Sequence, residues 1–133
     1  MYNISRQNGY LMVKFIDDID FPMILAAIHH ETMLGDYADT NDIWLIGKSR
    51  VAIQLGEIEI LASEFQCRCP RDATRAKTAI VVDAGLTGSI VELWVNSIQR
   101  KVPFEIEIFR TLDEAKSWVG SGDTTMLKES ICS

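Results

Sequence analysis

The sequence predicts an α/β domain: a five-stranded, mostly parallel sheet with an antiparallel first strand and four helices, in the order ββαβαβαβα. Three observations carry that prediction. Lys77 to Asp83 contains the apolar run Ala79 to Val82, which leaves no polar face and so reads as a strand covered on both sides, at the centre of a sheet. Asp83, Ala84 and Gly85 then end it, and a helical pattern follows from Leu86, the strand, loop and helix order of an α/β unit. Asn8-Gly9, between two β-prone runs, is a hairpin signal that makes the first pair antiparallel.

The hairpin strands are Tyr2 to Gln7 and Tyr10 to Ile16. Asp20 ahead of Phe21 and Pro22 marks a helix start, since Pro suits the first helical turn; Ile24, Leu25 and Ile28 share one face and Gly35 marks the end. Asp36 to Asp42 reads as a turn and Ile43 to Ile46 as a second central strand. Val51, Ala52 and Ile53 suit either a strand extension or a buried loop. Ile58, Leu61, Ala62 and Phe65 set a second helix from Leu55, bounded by Pro70. Leu86, Ile90, Leu93, Trp94 and Ile98 mark the third, with Val91 and Val95 beside that stripe. Phe104, Ile106 and Ile108 alternate with Glu105 and Glu107, the pattern of a strand with one wet face near a sheet edge. Thr111 and Glu114 frame a capping box for the last helix, which ends near Gly120. The domain therefore spans 1–120, and 121–133 form a C-terminal tail expected to fray without a partner.

A chain of 133 residues is the size of one domain, with 47% hydrophobic and 24% charged residues as in ordinary globular proteins. The net charge of -6 argues against nucleic acid or an anionic membrane as the main partner, because neutralising phosphates takes clustered Lys and Arg. Arg68, Arg71, Arg75 and Lys77 come nearest to a cluster, but Asp72 interrupts them and they read as a solvated loop. No apolar run approaches the ~18 residues of a membrane span, and the first residues lack a secretory pattern. Cys67, Cys69 and Cys132 cannot all pair within one chain, so a reducing, cytoplasmic location is expected.

Val102 to Val119, read as Val-Pro-Phe-Glu-Ile-Glu-Ile-Phe-Arg-Thr-Leu-Asp-Glu-Ala-Lys-Ser-Trp-Val, resembles the closing strand and helix of the SpoIIAA-like family. That bacterial group is related to STAS domains and described alongside CRAL-TRIO lipid-binding domains. The element order is similar over Tyr2 to Val119. The resemblance also implies a phosphorylation-controlled alternative. STAS regulators of the anti-sigma-antagonist kind carry an Asp-Ser pair, phosphorylated on Ser, where the helix after the third strand begins. Here that place is Gln54-Leu55-Gly56-Glu57, without a hydroxyl; Ser49 lies upstream.

No catalytic signature is present. Gly47-Lys48-Ser49 matches the end of a phosphate-binding loop, but the pattern needs a Gly where Asp42 stands, and Ile43 to Ile46 read as strand. His29 and His30 are adjacent, about 100° apart on a helix, so they do not suit joint metal ligation. Cys67 and Cys69 lack a second Cys pair, which makes free thiols the default. No metal, cofactor or catalytic residue is expected, although an enzyme of unrecognised class stays open because active sites can be assembled from distant loops.

The leading expectation is a non-enzymatic binding domain for a small apolar or amphipathic ligand, or for a protein partner, at the carboxyl ends of the parallel strands, where open α/β sheets place their crevices. Its candidate ligand-binding residues are Lys48, Ser49 and Arg50 after the third strand, Gly85 and Thr87 after the fourth, and Arg110 after the fifth. The apolar arc of the third helix sweeps roughly 200°, beyond the ~100° that covers one sheet face. A neighbouring helix or the tail, a ligand cavity, or a homodimer through Val91, Val95 and Ile98 would cover the excess, and a homodimer is favoured.

Overall fold

Turn chemistry sets the first pair of strands. Gly9 supplies the positive φ of 83° that a two-residue turn needs, and β1 (Tyr2–Gln7) and β2 (Tyr10–Phe15) pair antiparallel from Tyr2↔Phe15 to Gln7↔Tyr10. Asp17, at φ 65°, then turns the chain into a short β3 (Ile19–Asp20). Asp20 caps α1 (Phe21–Thr32), its carboxylate accepting from the Met23 amide at 3.0 Å. The computed structural model describes residues 1–35, 37–69 and 76–120; the expected tail, Pro70, Arg71, Arg75 and Cys132 lie outside them.

A 3-10 turn, Tyr37–Asp39, leads into β4 (Asn41–Gly47). The ambiguous stretch after it is neither a continuation of β4 nor a plain loop. Val51–Ala52 form β5, which pairs parallel with β3 in a separate two-stranded ribbon. There follow α2 (Leu55–Arg68), β6 (Lys77–Val82), α3 (Leu86–Gln99), β7 (Glu105–Phe109) and α4, over 112–120. The main sheet has the order β1-β2-β4-β6-β7, and every pairing except β1 with β2 is parallel. The fold is thus α/β, with four helices on a five-stranded mixed sheet.

Its two faces are covered unequally. Val13, Phe15, Trp44, Ile46, Ile80, Val82 and Ile106 meet α1, α2 and α3 in the larger core. On the other face Ile43, Ala79 and Val81 pack against Ala115 and Val119 of α4. Thr111 starts that helix, its hydroxyl accepting from the Glu114 amide at 3.2 Å. The Glu114 carboxylate takes the hydroxyl proton at 3.0 Å, in place of the backbone amide the capping-box reading assigns to it.

The third helix lies in a different rotation from the expected stripe. Its buried face is Gly88, Val91, Trp94, Val95, Ser97 and Ile98, while Leu86 and Leu93 are 79% and 50% exposed. The cause is Gly88: a Cβ there would stand 2.8 Å from Asp83 O, so this side of the helix is the one that closes on the end of β6. Val91, Val95 and Ile98, the expected interface residues, are 1%, 7% and 1% exposed, packed within the core of the single chain. The excess arc is taken up by α2. Ser97 Oγ donates to Glu59 Oε1 at 3.0 Å and Lys101 Nζ lies 3.6 Å from Glu59 Oε2, joining the two helices at their rim.

Candidate functional site

Strands β2, β4, β6 and β7 end on one rim of the sheet, and the backbone turns there are set by glycine. Gly47 at φ 59° and Gly85 at φ 113° hold conformations that side chains disfavour. The Asp83 amide donates to Gly47 O at 3.0 Å, tying the exits of β4 and β6 together. Arg110, leaving β7, reaches back so that Nη1 donates to Val82 O at 3.1 Å, and it would lie 3.2 Å from a Cβ on Gly88.

The candidate residues therefore fall into two groups. Gly85, Thr87 and Arg110 gather around the start of α3 with Asp83 and Gly88. Lys48, Ser49 and Arg50 belong to the turn that feeds the β3 and β5 ribbon: Ser49 N donates to Ile46 O at 3.1 Å, Arg50 O accepts from Ile19 N at 2.8 Å, and Arg50 Nη2 meets Asp18 Oδ2 at 3.0 Å. That ion pair is exposed, and Lys48 is exposed beside it.

What residue spacing did not single out is an apolar rim. Ile16, Leu55 and Leu86 are 40%, 73% and 79% exposed, and they stand on the crossovers leaving three neighbouring strands, β2, β4 and β6. The mouth of α2 already has its negative group, because Glu57 Oε1 accepts from the Gln54 amide at 2.9 Å. Ser49 is half-buried in its turn and outside that helix.

A second constellation lies at the opposite rim, inside the protein. Glu31 and Asp42 are 0% and 1% exposed. Trp44 Nε1 donates to both, at 3.2 Å to Glu31 Oε1 and 3.1 Å to Asp42 Oδ2, and the Thr78 hydroxyl donates to Asp42 Oδ1 at 2.5 Å. Burial pushes the Glu31 carboxyl well above its ordinary range, and the neighbouring Asp42 pushes it further. Burial also raises Asp42, opposed by the hydrogen bonds from Glu31, Thr78 and Trp44. Both carboxyls are thus held above the ordinary carboxylate range. Among the described residues Glu31 Oε2 has no hydrogen-bond partner.

The surroundings match. Burial raises the Tyr37 phenol, as do the two acids, and burial with Asp42 pushes the Cys69 thiol up to about 11. The adjoining cleft between Tyr37, Thr40, Asp42, Ala76, Thr78 and Phe104 is too narrow for a water molecule. The sequence held one signal for them: Glu31 lies three and seven residues after Ile28 and Ile24, on the apolar face of α1.

The histidines serve helix contacts. His29 Nε2 and Glu64 Oε1 are 2.6 Å apart across α1 and α2, and His30 Nδ1 is 3.3 Å from the Tyr2 hydroxyl. Among the described residues no cluster of His, Cys, Asp or Glu could hold a metal ion, and no helix is long and apolar enough to cross a membrane. Cys67 is exposed and Cys69 buried. No family model, curated protein or solved structure matches the chain.

Proposed function

We propose that the chain is a non-enzymatic binding domain whose carboxyl rim takes an amphipathic ligand with an anionic head, either a small molecule or the end of a protein segment. The observation that carries this reading is the exposure of Ile16, Leu55 and Leu86 on adjacent crossovers, with the exposed cations Lys48 and Arg50 on the same rim. Covering a side chain of that size is worth about 1.5–3 kcal/mol, so leaving three uncovered favours a surface that something else covers. Lys48 supplies the uncompensated charge, since Arg50 shares its own with Asp18. The resemblance of Val102 to Val119 to the SpoIIAA-like family supports a binding or regulatory role. Phosphorylation control has less support, because the start of α2 carries Glu57 in place of a hydroxyl.

Native mass spectrometry of protein purified from its own host tests the reading first, with a retained amphiphile or peptide as the expected result. Titration with laurate and with dodecanol then tests the head group. Laurate binds saturably and dodecanol more weakly, and Lys48→Glu and Leu86→Ser each weaken laurate. No retained molecule together with no saturable laurate binding overturns the proposal.

A further inference from the structure

Among the described residues, strand β7 closes one end of the sheet and pairs on one side only, with β6. Part of its outer backbone is occupied by a side chain. Gln99 Nε2 donates to Phe104 O at 2.8 Å and Gln99 Oε1 accepts from Ile106 N at 2.8 Å, so one carboxamide makes the two bonds that a peptide group of a neighbouring strand would make. Backbone groups of successive strand residues point to opposite sides, so these bonds fix the phase of the edge. Ile106 O, Ile108 N and Ile108 O face outward, while Glu105, Glu107 and Phe109 turn theirs towards β6. Among the described residues the three outward groups have no hydrogen-bond partner. Beside them, Glu92, Val95 and Asn96 of α3 face Ile106, Ile108 and Arg110 across an open groove of about 350 Å³.

We infer that this edge receives an extended segment of a partner protein in which Lys or Arg alternates with an apolar residue, added to the sheet as a strand beside β7. Side chains of such a strand alternate between the two faces of the sheet. One set enters the groove over Val95, Ile106 and Ile108; the other stands next to the exposed carboxylates of Glu105 and Glu107. β7 reads Glu-Ile-Glu-Ile, and cross-strand neighbours are favourable when charges are opposite and apolar residues meet. The complement is therefore basic and apolar in alternation. A second copy of this chain is a poor occupant, because antiparallel β7 against β7 sets Glu opposite Glu. Among the described residues, the charged ones lining the groove are Glu92, Glu107, whose side chain stands on the opposite face of β7 from Ile106 and Ile108, and Arg110, which donates to Val82 O. This surface meets the carboxyl rim at Arg110, but neither reading rests on the other.

The experiment is an NMR titration of the isotope-labelled protein with three end-blocked heptapeptides: alternating Lys and Val, alternating Glu and Val, and the first composition with its lysines grouped together. The alternating Lys peptide should give saturable shifts confined to 105–110 and the adjoining side of α3. It should slow exchange of the Ile108 amide and weaken as salt is raised, while the other two bind less. Glu107→Lys, at an exposed position, should weaken the alternating Lys peptide about five-fold. Shifts mapping elsewhere, equal binding of the grouped or Glu peptide, or indifference to Glu107→Lys overturns the inference.

Discussion

Glu31 and Asp42 are buried carboxyls that share the Trp44 indole donor, and what they contribute to stability is a function of pH. In the unfolded chain Glu31 titrates near the ordinary value of 4.5, while in the folded protein burial and Asp42 hold its proton to higher pH. Folding therefore takes up a proton over that interval. The stability Glu31 contributes is complete below about 4.5 and is lost as pH rises through the folded value, at up to about 1.4 kcal/mol per pH unit. Asp42, also raised, adds to the same trend. Glu31→Gln removes the titration, so it should flatten the fall above about pH 4.5 and stabilise the protein at higher pH relative to wild type. Urea denaturation across that range checks it; equal slopes in wild type and variant would show that the proton is not held there. Trp44→Phe removes the donor that both acids share and should destabilise by about 1–3 kcal/mol.

Within the elements, glycines at two helix starts give opposite predictions. Gly88→Ala puts a Cβ 2.8 Å from a backbone oxygen that cannot move without shifting β6, so overpacking of about 1–3 kcal/mol outweighs the gain of up to ~1 kcal/mol in helix propensity. Gly56→Ala, in the first turn of α2 with nothing within 4 Å, should stabilise by up to ~1 kcal/mol. Thermal melts of the two variants beside wild type should move in opposite directions. The same glycine explains what could be read in advance. Strand and helix identities followed from periods and caps, because Ala79 to Val82, Asp20 with Pro22, and Thr111 with Glu114 are local signals. The rotation of α3 was not local. Leu86 and Leu93 lie on an apolar arc wide enough to permit several rotations, and the contact of Gly88 with Asp83 chooses between them. For the same reason residue type pointed to Lys48, Arg50 and Arg110 at the carboxyl ends, while the apolar rim emerged only from burial.

At the scale of the whole molecule, α4 is, among the described residues, the one helix on its face of the sheet, whereas three helices cover the other. Ala115 and Val119 are 0% and 2% exposed against Ile43, Ala79 and Val81. A carboxylate at Ala115 would have no partner in that layer, so Ala115→Asp should destabilise by several kcal/mol and expose the far side of the sheet to a hydrophobic dye. Dye binding at native pH, compared with wild type, measures it. Retained stability would mean that α4 is dispensable cover.

The unequal layers also give the protein separate optical probes. Trp44 and Trp94 lie on the three-helix side with ring centroids 5.5 Å apart at 60°, whereas Trp118 lies on the α4 side, 5.5 Å from Phe109 and with the Lys77 ammonium 4.9 Å from its ring centre. Replacing Trp118 by Phe leaves an emission signal that comes from the larger core alone. Because the Trp44 indole N–H is bonded to the acid pair, ionisation of Glu31 places a negative charge at the pyrrole end of that chromophore. In Trp118→Phe protein, raising the pH above the ordinary carboxylate range should shift the tryptophan emission maximum with a sigmoid that Glu31→Gln abolishes, so ionisation in the core can be followed by fluorescence while the fold stays intact.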